Sequence, residues 1–162
     1  MDDPELPDEY LREIGRIVVA WNRLDSALTH ALVFALIEDV STYKRAVAVF
    51  AHMSFPQKLD SLAAMLRIIG AEFADLYLND VQGLLKQAQE KRNTALHQYW
   101  YVEEGEVIRG DIKARGSLKV TSQKVTLQDL RDIVRFIDDA YASLFGLVTL
   151  PLSIKFTPQQ GQ

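Results

Sequence analysis

Cysteine is absent from the 162 residues, so neither a disulfide framework nor a thiolate metal site can be built, and nothing points to an oxidising compartment. Long apolar runs are missing too. The longest, Ala31 to Ile37, falls far short of the roughly 20 residues that cross a bilayer. The first residues, Met1-Asp2-Asp3-Pro4-Glu5-Leu6-Pro7-Asp8, are acidic and lack the basic and apolar regions of a secretory signal. These absences together predict a cytoplasmic chain with no membrane association. An excess of positive charge is also lacking: the formal net charge is −4, which argues against coating nucleic acid through bulk charge.

What the chain does have is apolar content, 48% of residues, enough for a real core. The length fits one domain over 1–162, with an ordered core over about 8–150 and a flexible C-terminal tail. Leu11, Ile14, Val18, Trp21, Leu24, Leu28, Leu32 and Ala35 recur at helical spacing and predict one long amphipathic helix from Asp8 to Asp39. A short helical piece over Tyr43 to Phe50 follows. Ser54-Phe55-Pro56-Gln57 reads as a capping box opening a helix that ends at Gly70. Glu72 to about Gln98 forms a third long helix, with Leu76, Val81, Leu84, Leu85, Ala88 and Ala95 on one stripe.

The period then changes to two. Tyr99 to Val102 reads as a strand, and Ile108 and Ile112, then Leu118 and Val120, alternate with polar residues; turn signals at Glu104-Gly105 and Arg115-Gly116 separate the pieces. Thr126 to Asp129 opens a last helix, buried through Leu130, Val134, Ile137, Tyr141, Leu144 and Val148 and stopped by Pro151. The expected fold is therefore mainly α: a four- to five-helix bundle of the up-and-down type, with a small β-hairpin or meander inserted before the last helix.

Charge is concentrated in the insertion. From Val107 to Lys124 there are five bases, Arg109, Lys113, Arg115, Lys119 and Lys124, against the single acid Asp111. These bases, with Lys91, are the candidate RNA contacts. Glu103, Glu104 and Glu106 flank Gly105 and read as a solvated turn rather than a cation site. Gly105, Gly110 and Gly116 do not fit a phosphate-loop spacing. His30 and His52 have no ligating residue at metal spacing, so both read as structural and no metal or cofactor is expected. Asn22, Asp25 and Thr29 make a polar stripe on the first helix, in which Asp25 is either a solvated boundary residue or the partner of Arg92 or another buried base. Trp21, Trp100, Phe50 and Phe55 fall in apolar patterns and read as core.

The segment Lys91-Arg92-Asn93-Thr94-Ala95-Leu96-His97-Gln98-Tyr99 gathers the chemistry. On a helix Asn93 and His97 share a face, whereas Arg92 and His97, five apart, do not. Arg92 continues the stripe of Leu85, Ala88 and Ala95, an odd position for a guanidinium unless it reaches past the core to a partner.

Arg92, Asn93 and His97 resemble, position for position, the Arg-Asn-x-x-x-His motif of the HEPN ribonuclease superfamily, and the helical layout from about Asp8 to Val148 is similar to HEPN bundles. The resemblance implies a homodimer whose motif helices form one composite cleft. It also implies metal-independent RNA cleavage by attack of the ribose 2′-OH on the adjacent phosphorus. In that reaction histidine, with an ordinary pKa near 6.5, serves as general base or acid, arginine binds the phosphate oxygens and Asn93 supplies a neutral hydrogen bond. A toxin-antitoxin or antiphage-defence role follows from the resemblance alone. The longer form, Arg-x4-His-x-Tyr, resembles HEPN toxins paired with nucleotidyltransferase antitoxins, which makes Tyr99 a candidate acceptor of AMP or simply the first residue of a strand. The alternative reading is a catalytically inactive HEPN-like dimer that binds RNA, a nucleotide or a protein partner.

Overall fold

The computed structural model describes residues 5–36, 42–114 and 118–155; within these, the side chains of 112–114, 118–119 and 149–155 are left out of the description. The chain is mainly helical, with a small antiparallel sheet inserted before the last helix. Helices α1 (Asp8–Leu36), α2 (Tyr43–Phe50), α3 (Phe55–Ile69), α4 (Ala71–Leu76) and α5 (Gln82–Leu96) precede strands β1 (Tyr99–Glu103), β2 (Glu106–Ala114) and β3 (Leu118–Lys124), and α6 (Leu127–Lys155) follows. Contacts cluster into two compact units, residues 1–21 with 87–137, and residues 22–86 with 138–162. Among the described residues no helix is long and apolar enough to cross a membrane.

The second unit buries Leu24, Leu28 and Leu32 of α1, Leu59, Leu62 and Leu66 of α3, and Leu144 and Leu147 of α6. Helix α3 begins and ends where its sequence signals lie: the Ser54 backbone N–H and hydroxyl both donate to Gln57 Oε1, at 2.9 and 2.8 Å, and Gly70 follows Ile69. The predicted third long helix differs. It is divided into α4, a π-helical turn over Tyr77–Val81 and α5. A π turn lets an extra residue into the helix without breaking it, and it turns Tyr77 fully inward while Leu76 stays exposed. The Tyr77 hydroxyl donates to the Leu59 carbonyl at 3.1 Å, and burial pushes its pKa up.

The first unit carries the sheet. Strands β1, β2 and β3 are sequential neighbours, both pairs antiparallel, in the register Trp100↔Arg109↔Gln123 and Tyr99↔Gly110↔Ser122. Glu104 and Gly105, both at positive φ (51° and 79°), form the two-residue turn between Glu103 and Glu106, the twist-matched hairpin geometry. Helix α1 buries Glu13, Ile17, Ala20 and Trp21 here, not the predicted Leu11, Ile14 and Val18; Leu11 is 51% and Val18 37% exposed. Both rows satisfy the helical period. Glu13 is tolerated inside because Arg16 Nη1 and Arg131 Nε reach its carboxylate at 3.2 and 3.3 Å.

Helix α6 also departs from expectation at two points. Ala140 and Leu147 are buried where Tyr141 and Val148 were expected, each only half-buried. The helix continues past Pro151 to Lys155; proline's fixed φ is compatible with helix, although it removes the bond that residue 151 would donate and crowds the carbonyl four residues back. Residues 156–162, the expected flexible tail, and residues 37–41, the expected end of the first helix, lie outside the described residues.

Helix α6 opens on a reciprocal capping box. The Thr126 backbone N–H donates to Asp129 Oδ2 at 2.7 Å, and the Asp129 N–H donates to Thr126 Oγ1 at 3.2 Å. The backbone and hydroxyl bonds from Thr126 hold the Asp129 carboxyl below the usual carboxylate range. With the folded value below the unfolded one, the stabilisation is present above the unfolded pKa and is lost as pH falls through the folded value. Asp129→Ala should therefore cost about 1 kcal/mol at neutral pH. In thermal melts the gap to the wild type should close as the pH is taken below about 4.

Candidate functional site

Helix α5 ends at Leu96, and His97 lies just past it, with its backbone N–H still donating to the Asn93 carbonyl at 2.9 Å. Ala95, fully buried, anchors the last turn, and the Trp100 indole donates to the Ala95 carbonyl at 3.0 Å. The turn therefore fixes where His97 emerges. His97 is exposed, while Arg92 and Asn93 are half-buried.

The three motif side chains meet. Arg92 Nη1 lies 3.0 Å from Asn93 Oδ1 and 2.9 Å from His97 Nε2. The expectation that Arg92 and His97 face different ways fails for a simple reason: the wheel gives the direction of Cβ, but the arginine arm is long and His97 has left the helix. The guanidinium carbon also sits 5.5 Å from the centre of the Trp21 ring, so a residue read as core is also a cation–π support. Asp25 is the partner of another buried base, Lys58, whose Nζ lies 2.8 Å from each carboxylate oxygen.

The contact sets the state of the imidazole. Arginine has donors only, so in this contact His97 Nε2 is the acceptor. Arg92 Nε is buried and has no hydrogen-bond partner among the described residues. A phosphate oxygen arriving at this fork would compete for Nη1 and, by drawing it away, release the Nε2 lone pair to accept a proton.

The other predicted contacts fall elsewhere. Lys91 and Arg109 line a cleft of about 530 Å³ in the first unit, with Thr94, Gln123, Asp129 and Phe136 also on its walls. Lys91 Nζ lies 5.0 Å from the centre of the Phe136 ring, and Arg109 Nη2 donates to Gln123 Oε1 at 2.7 Å. Burial lowers the pKa of Arg109, opposed by Asp129 and Asp111. Neither Arg92 nor His97 lines this cleft. The Lys113 backbone pairs with Lys119 in the sheet, and Arg115 lies outside the described residues. Tyr99 opens β1 and is 43% exposed. His30 accepts or donates with the Tyr43 hydroxyl at 2.9 Å. Among the described residues no group of three His, Cys, Asp or Glu converges.

Compared with known proteins, the chain matches no family model, no curated protein and no solved structure.

Sequence reasoning missed two features. Lys58, 2% exposed, occupies the stripe of Phe55, Leu59 and Leu62, and a lone cation in an apolar stripe was the available signal. The placement of the Tyr99 ring over Gly110, beside Tyr101, depends on strand register, which alternation does not fix.

Proposed function

We propose that this chain is a HEPN-type, metal-independent endoribonuclease that works as a homodimer, with Arg92, Asn93 and His97 as its catalytic residues. The observation that carries the reading is the meeting of the three motif side chains on one guanidinium nitrogen, 2.9 Å from His97 Nε2. The phosphate takes the Arg92 fork, and the freed His97 Nε2 removes the proton of the 2′-OH. That oxygen attacks the adjacent phosphorus and the bond to the 5′ oxygen breaks, leaving a 2′,3′-cyclic phosphate and, once the departing oxygen is protonated, a 5′ hydroxyl. Arg92 holds the charge that builds on the phosphoryl oxygens. A cytoplasmic role in toxin-antitoxin or antiphage defence, and silencing by a nucleotidyltransferase-type antitoxin acting on Tyr99, belong to the same reading and rest on the family resemblance alone.

A second reading is a non-catalytic dimer that binds RNA, a nucleotide or a protein partner. It is favoured by the placement of Lys91 and Arg109 on a cleft that His97 does not line. Incubation with RNA and with DNA of the same sequence, both in EDTA, separates the two. The ribonuclease reading expects RNA to be cut and DNA, lacking the attacking hydroxyl, to survive. RNA left intact by a protein that light scattering shows to be dimeric favours the binding reading.

A further inference from the structure

The sheet has two chemically different faces. Trp100, Arg109 and Gln123 are cross-strand partners, and the Trp100 indole bonds the last turn of α5, so their face is the one turned to the helix. Alternation places Tyr99, Tyr101, Ile108, Gly110, Ser122 and Lys124 on the other. The Tyr101 hydroxyl donates to Ser122 Oγ at 3.1 Å, although β1 and β3 are separated by the whole width of β2. With strands about 4.8 Å apart, that reach is possible only if the tyrosine lies across the sheet rather than standing off it.

Tyr99 lies down in the same direction. A Cβ at Gly110 would fall 2.1 Å from its Cζ and 2.4 Å from its Cε1 and hydroxyl oxygen. The missing side chain at 110 is therefore the space that the Tyr99 ring occupies. The two rings are 17° from parallel, with centres 5.6 Å apart. Large aromatic surface left exposed beside polar residues commonly marks a contact surface. Here it adjoins Lys124, whose side chain is 58% exposed and paired with Glu106. Tyr99 follows His97 by two residues, so their Cα atoms are within about 7 Å, a distance one nucleotide bridges.

We propose that Tyr99, laid over Gly110, and Tyr101 beside it form a stacking platform that holds an unpaired nucleobase of the RNA beside Arg92 and His97. The placement at the reacting phosphate rests on the ribonuclease reading; the stacking itself does not. Each base has a π face that such rings accept without regard to sequence, whereas bases inside a duplex are covered by their neighbours and cannot reach the rings.

The test uses a single-stranded oligoribonucleotide carrying one 2-aminopurine, and the same strand annealed to its complement. Both are titrated with full-length wild type and with His97→Ala, which leaves the RNA uncut. Stacking should quench the fluorescence of the single strand, and the duplex should bind more weakly. Tyr99→Leu should weaken binding on the order of tenfold and Tyr99→Phe should restore it, a rescue that an AMP-acceptor hydroxyl would not give. Gly110→Ala keeps both tyrosines but puts a methyl group where the ring lies, and should weaken binding as well. Folding of each variant is checked by thermal melting. If Tyr99→Leu melts as a folded protein and binds like the wild type, or if duplex and single strand bind alike, the platform is overturned even where cleavage at Arg92 and His97 stands. Quenching that depends on the ring, in a protein that cuts no RNA, keeps the platform and removes the ribonuclease reading.

Discussion

Arg92→Ala and His97→Ala should each reduce RNA cleavage at least a hundredfold while leaving the helical circular dichroism spectrum unchanged. His97 is exposed, so its removal leaves no cavity, and its loss takes away a proton-transfer group of the kind worth about 10² to 10⁴ in rate. Arg92 supplies a fork that strengthens as the phosphoryl oxygens gain charge, and donors of that sort are worth roughly 10² to 10³. Arg92→Lys should recover little, because a single ammonium cannot reach Asn93, His97 and a phosphate with the geometry of a planar fork. The double variant should be scarcely worse than either single one, since residues that act as a unit are not additive. Rates measured under single-turnover conditions in EDTA decide the matter. Two folded variants as active as the wild type would remove the catalytic assignment.

A second large effect belongs to stability. Lys58 is 2% exposed and its ammonium is held by both oxygens of Asp25, whose side chain is 36% exposed. Removing one member of a buried pair strands the other, but here the two members are not equally buried. Asp25→Asn leaves a cation inside without its counter-charge and should cost about 3 kcal/mol, a fall in melting temperature on the order of 10 °C for a chain of this size. Lys58→Met leaves a carboxylate that already reaches water and fills the space with an unbranched apolar chain, so it should cost about 1 kcal/mol or less. Denaturant melts at neutral pH measure both. Equal losses, or a larger loss for Lys58→Met, would contradict this assignment of burial.

The fold was readable where local chemistry acts alone. The capping residues at Ser54 and Thr126, Gly70 after α3 and the Glu104-Gly105 turn all mark element ends that the structure reproduces, and α2 matches its expected span. What escaped the sequence was the choice between equivalent patterns. In α1, apolar residues occur at 14, 17, 18, 19 and 20, so two faces compete, and the face that is buried carries Glu13, which Arg16 and Arg131 hold. The π turn at Tyr77–Val81 shifts the stripe of the third long helix by a fraction of a turn, and no residue type announces it. At the motif, Arg92, Asn93 and His97 were identified from their spacing, but their convergence was not, because side-chain length and the end of α5 at Leu96 override the helical wheel. Tyr99 was singled out for its hydroxyl. The role of its ring required knowing that Gly110 lies opposite.

The central claim is that Arg92 and His97 cut RNA through the neighbouring 2′ hydroxyl, and the most direct measurement maps one cleavage site and then replaces that nucleotide's ribose by deoxyribose. The wild type, in EDTA, should leave a 2′,3′-cyclic phosphate and a 5′ hydroxyl on the ribose substrate and should fail to cut at the substituted position while still cutting elsewhere. Continued cleavage at the deoxyribose position, or products ending in a 5′ phosphate, would contradict it.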